Sequence, residues 1–329
     1  MKIIVRILLA VALLAGLTAS CVYLIAGDPE PVPSEEAGPA SRPAYDKPVK
    51  MADARDPRID ESSGVAAVRR AAGLLCTFKV FGDRPRLFAL DRSGRLRATL
   101  TLDRAANRDW EDMAAFTWDG EPWLLVADTG DNDRRHEVTR IYLLPEPEIP
   151  AREDPDGEEG EEGDEPDSAA ELHARPAVTV EVRYPDGAQD VEAVGVDSAS
   201  GTAYFVSKRG GSRVYALELP PESPPEPVTL ERVAELDIIW PTGMDFSPDG
   251  RRAVILTYGG CFEYARGEEE SWADAFAREP RDLPAPRLWQ REAVCYAADG
   301  CSLYVTSEGS PCPLYLVPAR AEEAEDDGE

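Results

Sequence analysis

Asp109-Trp-Glu-Asp112 runs straight into Met113-Ala-Ala-Phe-Thr-Trp118, turns at Asp119-Gly120 and returns through Trp123-Leu-Leu-Val-Ala127. Two short apolar runs around an Asp-Gly pair read as a tight antiparallel hairpin, because Gly supplies the positive φ of the turn and Asp tolerates it. Arg140-Ile-Tyr-Leu-Leu144 and Val178-Thr-Val-Glu-Val182 follow, so one acidic opening leads into four strand-sized segments. The opening recurs along the chain. Glu61 begins Glu-Ser-Ser-Gly64, Glu192 lies in Gln189-Asp-Val-Glu-Ala-Val194, Thr242-Gly-Met-Asp245 takes the next place, and Glu292 opens Glu-Ala-Val294. These positions are spaced 50, 81, 50 and 50 residues apart, the long interval holding a polar insert. A fixed period of this size marks a repeat architecture.

The other units repeat the pattern. After Glu192 come Val194-Gly-Val196, Ala203-Tyr-Phe-Val206, Val214-Tyr-Ala-Leu217 and residues 230–236, and the first hairpin turn returns as Ser198-Ala-Ser-Gly201, Ser247-Pro-Asp-Gly250 and Asp299-Gly300. Apolar runs rich in Val, Tyr and Leu between Gly, Pro and Asp are strand signals. Helical periodicity is confined to residues 271–278. Four-stranded units repeated about an axis make a β-propeller. The expected fold is all-β, with five blades starting near residues 61, 111, 192, 242 and 292 and the fifth showing only three strands, Ala293-Val-Cys-Tyr296, Leu303-Tyr-Val-Thr306 and Leu314-Tyr-Leu-Val317. Residues 47–56 are placed to supply the fourth and close the ring, since an unpaired edge is a liability. Six blades and an open β-sandwich are the competing architectures.

Glu61-Ser-Ser-Gly64, the acid at each blade start and Ser247-Pro-Asp-Gly250 between two strands resemble exported bacterial propellers of the NHL-like, SdiA-regulated and esterase-like phytase group. Asp109-Trp-Glu-Asp112, Asp128-Thr-Gly-Asp-Asn132 and Thr306-Ser-Glu-Gly309 resemble motifs within that group. The resemblance spans roughly residues 46–318 and implies a propeller; it implies little about activity, because one fold hosts many. The fourth unit departs from the pattern, with Asp245 standing three positions after Thr242 in place of a Glu in register.

At the N-terminus, Lys2 and Arg6 precede an apolar run over residues 7–26, long enough to span a bilayer as a helix. Leu17-Thr-Ala-Ser-Cys21 also fits a lipobox, with Cys21 as the lipidated residue, although Thr18 and the apolar Val22-Tyr-Leu-Ile-Ala26 depart from the usual form. Lipidation, an uncleaved anchor and simple cleavage are the three outcomes; the first two tether the domain to a membrane outside the cytoplasm, in the cell envelope. Residues 28–45 read as a Pro- and Glu-rich tether.

The chain carries 63 Asp plus Glu against 35 Lys plus Arg, a net charge of -28. Residues 153–171 hold eleven acids and residues 322–329 hold six, so an acidic insert over 151–171 and an acidic tail over 319–329 are expected to be solvated rather than packed. With no basic stripe, nucleic acid is excluded as a partner. A monomer is expected. Beyond Cys21, Cys261, Cys295, Cys301 and Cys312 cluster in the last two blades and are the disulfide candidates, with three pairings open, whereas Cys76 reads as a buried free thiol.

The two histidines, His136 and His173, are not placed for a catalytic triad, and the chain has no G-x-S-x-G, H-E-x-x-H, P-loop or dinucleotide fingerprint. Acids remain. In a propeller the first strand of each blade lines the channel and begins on the face where the second strand ends. Glu61, Asp109, Glu111, Asp190, Glu192, Asp245 and Glu292 are therefore expected to share a face with Asp83, Asp128, Asp131, Asn132, Lys208, Arg209, Tyr258 and Glu308. Carboxylates gathered at one mouth need positive charge, and oxygen donors suit Ca2+ or Mg2+. Glu61, Glu111, Glu192 and Glu308 are the candidate metal ligands; Asp131, Asn132, Lys208, Arg209 and Tyr258 are the candidate ligand-binding residues. A static network of these acids with Lys208, Arg209 and Arg291 is the plain alternative. Trp110, Trp118, Trp123 and Trp240 read as blade-packing residues more readily than as platforms for sugar. Two function classes follow: a tethered propeller that binds a ligand or protein partner, or a divalent-cation-dependent hydrolase of the phosphoesterase or lactonase kind.

Overall fold

A computed structural model describes residues 43–79, 83–151 and 169–320. The expectations for Cys21, the apolar N-terminal run, most of the tether, most of the acidic insert and the tail beyond residue 320 lie outside the described residues. Among the described residues, no helix is long and apolar enough to cross a membrane.

Five antiparallel sheets form the blades of a β-propeller. From the channel outward, the first comprises Ser62–Ala67, Leu74–Lys79, Arg86–Asp91 and Leu96–Leu102, and the second Asp112–Trp118, Glu121–Asp128, Thr139–Pro145 and Val178–Arg183. The third comprises Val191–Asp197, Thr202–Ser207, Ser212–Glu218 and Glu231–Leu236, and the fourth Pro241–Phe246, Arg252–Thr257, Cys261–Ala265 and Arg281–Leu283. The fifth is built from Arg291–Tyr296, Leu303–Ser307 and Pro313–Val317, and Val49–Asp53 supplies its outer strand in antiparallel register with Pro313–Val317. The ring thus closes with a strand from the other end of the chain, and the Ser62 hydroxyl reaches Thr306 Oγ1 at 2.8 Å across the first and fifth blades. Ala44–Tyr45 pairs with Ala319–Arg320, so the start of the tail and the end of the tether form a clasp rather than loose chain.

Turn chemistry explains the hairpins. Asp119 at φ 49° and Gly120 at φ 80° make the left-handed pair that lets Trp118 face Glu121. The fourth blade carries a five-residue helix, Trp272–Phe276, within the span expected to be helical. Ser271 starts it, its hydroxyl accepting from Asp274 N.

Two outer edges are covered by strands from elsewhere. Ala170–Ala174 adds in parallel to Leu96–Leu102 of the first blade, and Val228–Thr229 adds in parallel to the second blade through Val182 and Arg183. The expected acidic insert therefore ends earlier than residue 171: Ala170 and Glu171 are strand, and Ala169 packs against the cluster of Phe88, Leu90 and Leu96. Such additions remove open edges.

The core lies between blades. Phe78, Trp110, Leu124 and Tyr142 fill the first interface, Phe116, Ile141, Val194, Phe205 and Tyr215 the second, and Tyr204, Phe246, Trp272 and Phe276 the third. Trp110 is fully buried, edge-on to Phe78 at 5.6 Å, with its indole N–H on Ala106 O at 2.8 Å. Trp118 and Trp123 pack on the second interface. Trp240 does not pack in this way: it is 52% exposed.

The expected disulfides are not present. Cys76, Cys261, Cys295, Cys301 and Cys312 are all free thiols. Closeness in sequence misled here because successive strands carry neighbouring cysteines into different layers. Cys261 belongs to the cluster between the fourth and fifth blades, Cys295 to the channel-side cluster with Val65 and Leu75, and Cys312 to the cluster with Ile59 and Phe88. Cys301 sits in the Asp299-Gly300 turn beside the Arg252 guanidinium, whose Nη1 is 3.6 Å away.

Candidate functional site: an acidic channel mouth

A recurrent irregularity builds the mouth. In the third, fourth and fifth blades the pairing of first and second strands slips by one residue near the start, between Val191 and Ala193, Pro241 and Gly243, and Arg291 and Ala293. The skipped residues are Glu192, Thr242 and Glu292. A bulge inserts one unpaired residue and re-aims its side chain, so the period of 50 seen in the sequence is the period of this bulge. In the second blade Glu111 lies one residue before the strand, its N–H on Ala127 O at 3.0 Å. Glu61 forms a backbone bridge with Glu308 at the seam of the first and fifth blades. The inner strands crowd together: a Cβ on Gly243 would stand 2.9 Å from Glu292 O and 3.2 Å from Ala293 Cα.

Lys208, just past the second strand of the third blade, reaches into this ring. Its ammonium donates to Glu192 and to the Tyr258 hydroxyl oxygen at 3.0 Å, and the Tyr258 hydroxyl donates to Glu292 Oε1 at 3.0 Å. Glu111, Glu192 and Glu292 are buried, and the Lys208 side chain nearly so. Burial disfavours the charged form, and neighbouring acids reinforce it. Glu111 is held well above the usual carboxylate range by burial first, then by Glu192 and Asp109. Burial pushes Glu192 up to about 8 despite Lys208, and Glu292 to about 7. Burial works against the Lys208 ammonium, but Glu192 outweighs it and the group stays above its ordinary value. Glu308, half-buried, is raised by burial and by Glu61.

A second acidic group adjoins the mouth between the second and third blades. Asp131 N donates to Asp190 Oδ1 at 3.0 Å, Asp131 Oδ2 accepts from His136 N at 2.6 Å, Arg209 Nε lies 3.6 Å from Asp190 Oδ2, and Arg209 Nη2 donates to Asn132 Oδ1 at 2.9 Å. Gly130 threads between two carboxyls, where a Cβ would come within 2.3 Å of Glu111 Oε1 and 2.5 Å of Asp109 Oδ2. Asp109 Oδ1 is buried without a hydrogen-bond partner, and burial, with Asp190 beside it, pushes the group up to about 6.

Of the expected ligand-binding residues, Lys208 and Tyr258 meet at the mouth, and Asp131, Asn132 and Arg209 form the adjoining group. The expected metal set is not assembled as a cage. Glu111 and Glu192 flank Lys208, Glu61 and Glu308 stand at the rim, Lys79 pairs with Asp60 at 2.7 Å and lies 3.9 Å from Glu61, and no three His, Cys, Asp or Glu among the described residues close on a common point at ligand spacing. Lys208 bonds one of the four, Glu192, and lies near enough to Glu111 and Glu308 to favour their charged forms.

Asp245 is not at this face. It lies at the far end of its strand, accepts from Tyr296 N at 2.8 Å, and borders a cavity at the other end of the channel. His173 is exposed and pairs with Asp103 at 3.1 Å, remote from the mouth. Two features escaped the sequence reading: the buried carboxylate of Asp112, which accepts backbone N–H groups from three blades, and a set of exposed apolar side chains. Ile239, Trp240 and Trp289 are 67%, 52% and 92% exposed and lie in the segments leading into the first strands of the fourth and fifth blades, on the face of the mouth. Trp240 holds φ 55°, a conformation that costs a bulky residue energy. The signal available was an aromatic residue placed one to three positions before the bulged or acidic residue in three units: Trp110, Trp240 and Trp289.

The fold and the mouth define a five-bladed β-propeller with an acidic channel opening. No protein-family model and no curated protein matches the chain. Among solved structures, the chain is similar to the major Malassezia sympodialis allergen Mala s 1, with a TM-score of 0.50 and 11% identity over 87% of this chain and 100% of that one. It is also similar to a gluconolactonase from Xanthomonas campestris, with a TM-score of 0.45 and 15% identity over 86% of this chain and 98% of that one. These likenesses are of fold.

Proposed function

We propose that the chain is an extracytoplasmic β-propeller, tethered to a membrane through its N-terminal segment, that binds a cationic ligand or the cationic part of a protein partner at the channel mouth. The observation that carries this reading is the charge imbalance there: three buried glutamates, Glu111, Glu192 and Glu292, share one ammonium, Lys208. A buried carboxylate without a partner is costly or takes up a proton, and a bound cation relieves both outcomes. Ca2+ fits the donor chemistry, since every group on offer is a hard oxygen; Glu111 and Glu192, with Glu61 and Glu308 at the rim, would hold it. Exposed Ile239, Trp240 and Trp289 beside the acids supply the apolar area a partner would cover. The likeness of Glu61-Ser-Ser-Gly64 and the other quoted motifs to exported bacterial propellers, together with residues 2–26, supports the location.

The test is calcium titration of chelator-treated protein, followed by calorimetry and thermal unfolding. Ca2+ at about 100 times its Kd stabilises a one-site protein by about 2.7 kcal/mol. Glu111→Gln and Glu192→Gln keep the shape and remove charge, so they should lose this stabilisation with strand content unchanged. If both become more stable than wild type and Ca2+ moves none of the proteins, like-charge strain was present but no cation relieves it.

A hydrolytic reading is favoured by one feature: two carboxyls side by side in the mouth, Glu192 raised to about 8 and Glu292 to about 7, lie near neutrality, where a general acid or base works best. Calcium-dependent turnover of a phosphate ester or lactone, abolished in Glu192→Gln, would place the protein in that class; calcium binding without turnover across such a panel would place it among binding propellers.

A further inference from the structure

The opposite end of the channel holds a cavity of about 240 Å3. Its walls include Val68, Ala115, Tyr296 and Ala297, with Arg69 and Asp245 as the charged groups. Small residues line the space: Ala67 at the end of the first blade's inner strand, Ala115 in the middle of the second's, and Ala297 just past the fifth's. At the other mouth a glutamate stands at or just before the start of the inner strand in four blades: Glu61, Glu111, Glu192 and Glu292.

Arg69 is held in place firmly. Glu146, buried just past the third strand of the second blade, accepts the backbone N–H groups of Arg69 and Arg70 at 2.9 and 2.6 Å, and Arg69 Nη2 donates to Ala115 O at 2.8 Å. Yet the guanidinium makes no ion pair among the described residues, and its Nε is buried with no hydrogen-bond partner. Arg97 and Arg291 are also half-buried without an ion pair among the described residues, but Arg69 is the one of the three that borders this cavity. Asp245 is near enough for Arg69 to favour its charged form, but it is engaged by Tyr296 N at 2.8 Å and makes no ion pair with Arg69. The cavity therefore has in its mostly apolar wall a guanidinium that makes no ion pair, a cation that suits a carboxylate.

We infer that this end of the channel is a second binding site, for a small monocarboxylate whose carboxylate meets Arg69 and whose apolar body lies against Val68, Ala115, Tyr296 and Ala297. The volume is below the roughly 300 Å3 at which sites for drug-sized ligands begin, so the ligand is a short-chain or single-ring acid. The site is independent of the acidic mouth, which would repel the same anion.

Calorimetric titration with benzoate and butyrate, against benzamide and butyramide as uncharged controls, tests this. Wild type should bind at least one acid, at least tenfold more tightly than its amide. Arg69→Gln should lose that preference and Arg69→Lys should recover part of it. Asp245→Asn removes a competing negative charge while leaving an oxygen for Tyr296 N, and should tighten binding severalfold. Ala297→Phe, which fills the cavity, should abolish binding; circular dichroism confirms that each variant is folded, and if Ala297→Phe does not fold, the two Arg69 variants decide. Glu192→Gln at the far mouth should bind as wild type. Acid and amide binding alike, no binding of either acid at millimolar concentration, or an acid preference that survives Arg69→Gln would each overturn the inference.

Discussion

The carboxylate of Asp112, in the second blade, accepts the backbone N–H of Val194, in the third, at 2.8 Å. The same oxygen accepts Met244 N of the fourth blade at 3.0 Å, while Oδ1 takes Met113 N at 2.8 Å. The inner strand of every blade is a sheet edge, so alternate N–H groups along it face the channel rather than the second strand. Asp112 caps three of them and ties three blades at one point. Burial holds its carboxyl well above the usual range, against the pull of these donors. Asp112→Ala would orphan three buried donors at about 1–3 kcal/mol each, so a loss of at least about 3 kcal/mol is expected in urea unfolding. Asp112→Asn keeps an acceptor and should cost clearly less. A loss below about 1 kcal/mol in the alanine variant would mean that water takes over the role.

The raised acids give a pH dependence with a definite sign. Glu192 at about 8, Glu292 at about 7 and Asp109 at about 6 all lie above the range near 4 of an unfolded chain. Each binds its proton more tightly when folded, so its contribution is complete below the unfolded value and is lost as pH rises through the folded one. The lowered groups, Asp56, Asp249 and Asp299, act in the opposite direction only below about pH 4. With chelator present, Tm should therefore fall between about pH 5 and pH 8.5. One pKa unit of difference between folded and unfolded protein is worth about 1.4 kcal/mol, or about 3 °C in a domain of this size. Glu192→Gln should flatten the upper part of the curve, and Ca2+ should restore wild-type stability at pH 8 if the mouth binds it. A Tm that climbs steadily from pH 5 to 8.5 would show that these carboxyls are not held protonated.

The blade count was legible because strand patterns and turns recur with the bulge. Glu192, Thr242 and Glu292 occupy one structural position, and the spacing of 50 marks it directly. The closing strand was legible for the same reason: the fifth unit lacked one. The parallel strand Ala170–Ala174 was not, because it pairs with the first blade across about 70 residues and carries no turn signal, only a composition that reads as the end of an acidic run. Asp245 was misplaced by treating it as a substitute for the missing glutamate. Three residues along a strand is about 10 Å, enough to move a side chain from the mouth to the far end of the channel. The intrusion of Lys208 among the glutamates depends on side-chain reach, which spacing does not encode.

The free thiols differ in access, and labelling should show it. Burial pushes Cys76 and Cys261 up to about 12 and Cys312 to about 11, and raises Cys295 as well. Thiolate is the reactive form. In native protein, iodoacetamide at pH 8 should modify Cys301 well ahead of the other four, with peptide mass mapping as the readout. In denaturant without reductant all five should react. Protection of any pair among Cys261, Cys295, Cys301 and Cys312 in denaturant, relieved by reductant, would establish the disulfide that the structure lacks.

The acidic insert and the strand after it should behave differently. Residues 152–168 are almost entirely Glu, Asp, Gly and Pro, a composition with little to bury. Replacing them with a Gly/Ser segment of equal length keeps the span and removes the charge, and should change Tm by no more than about 2 °C, since a loop of constant length has nearly constant closure entropy. Ala170–Ala174 is different in kind. It pairs from Ala170 opposite Ala98 to Ala174 opposite Leu102, and Ala170, Leu172 and Ala174 pack against the cluster that contains Leu100 and Leu102. Extending the replacement through residue 174 strips that edge of its hydrogen bonds and uncovers the first blade, and Leu172→Asp should do part of the same damage alone. The extended replacement should lower Tm by at least about 5 °C more than the short one, in line with a loss of about 2 kcal/mol or more in a domain of this size. Equal effects of the two replacements would show that the fifth strand of the first blade adds nothing to stability.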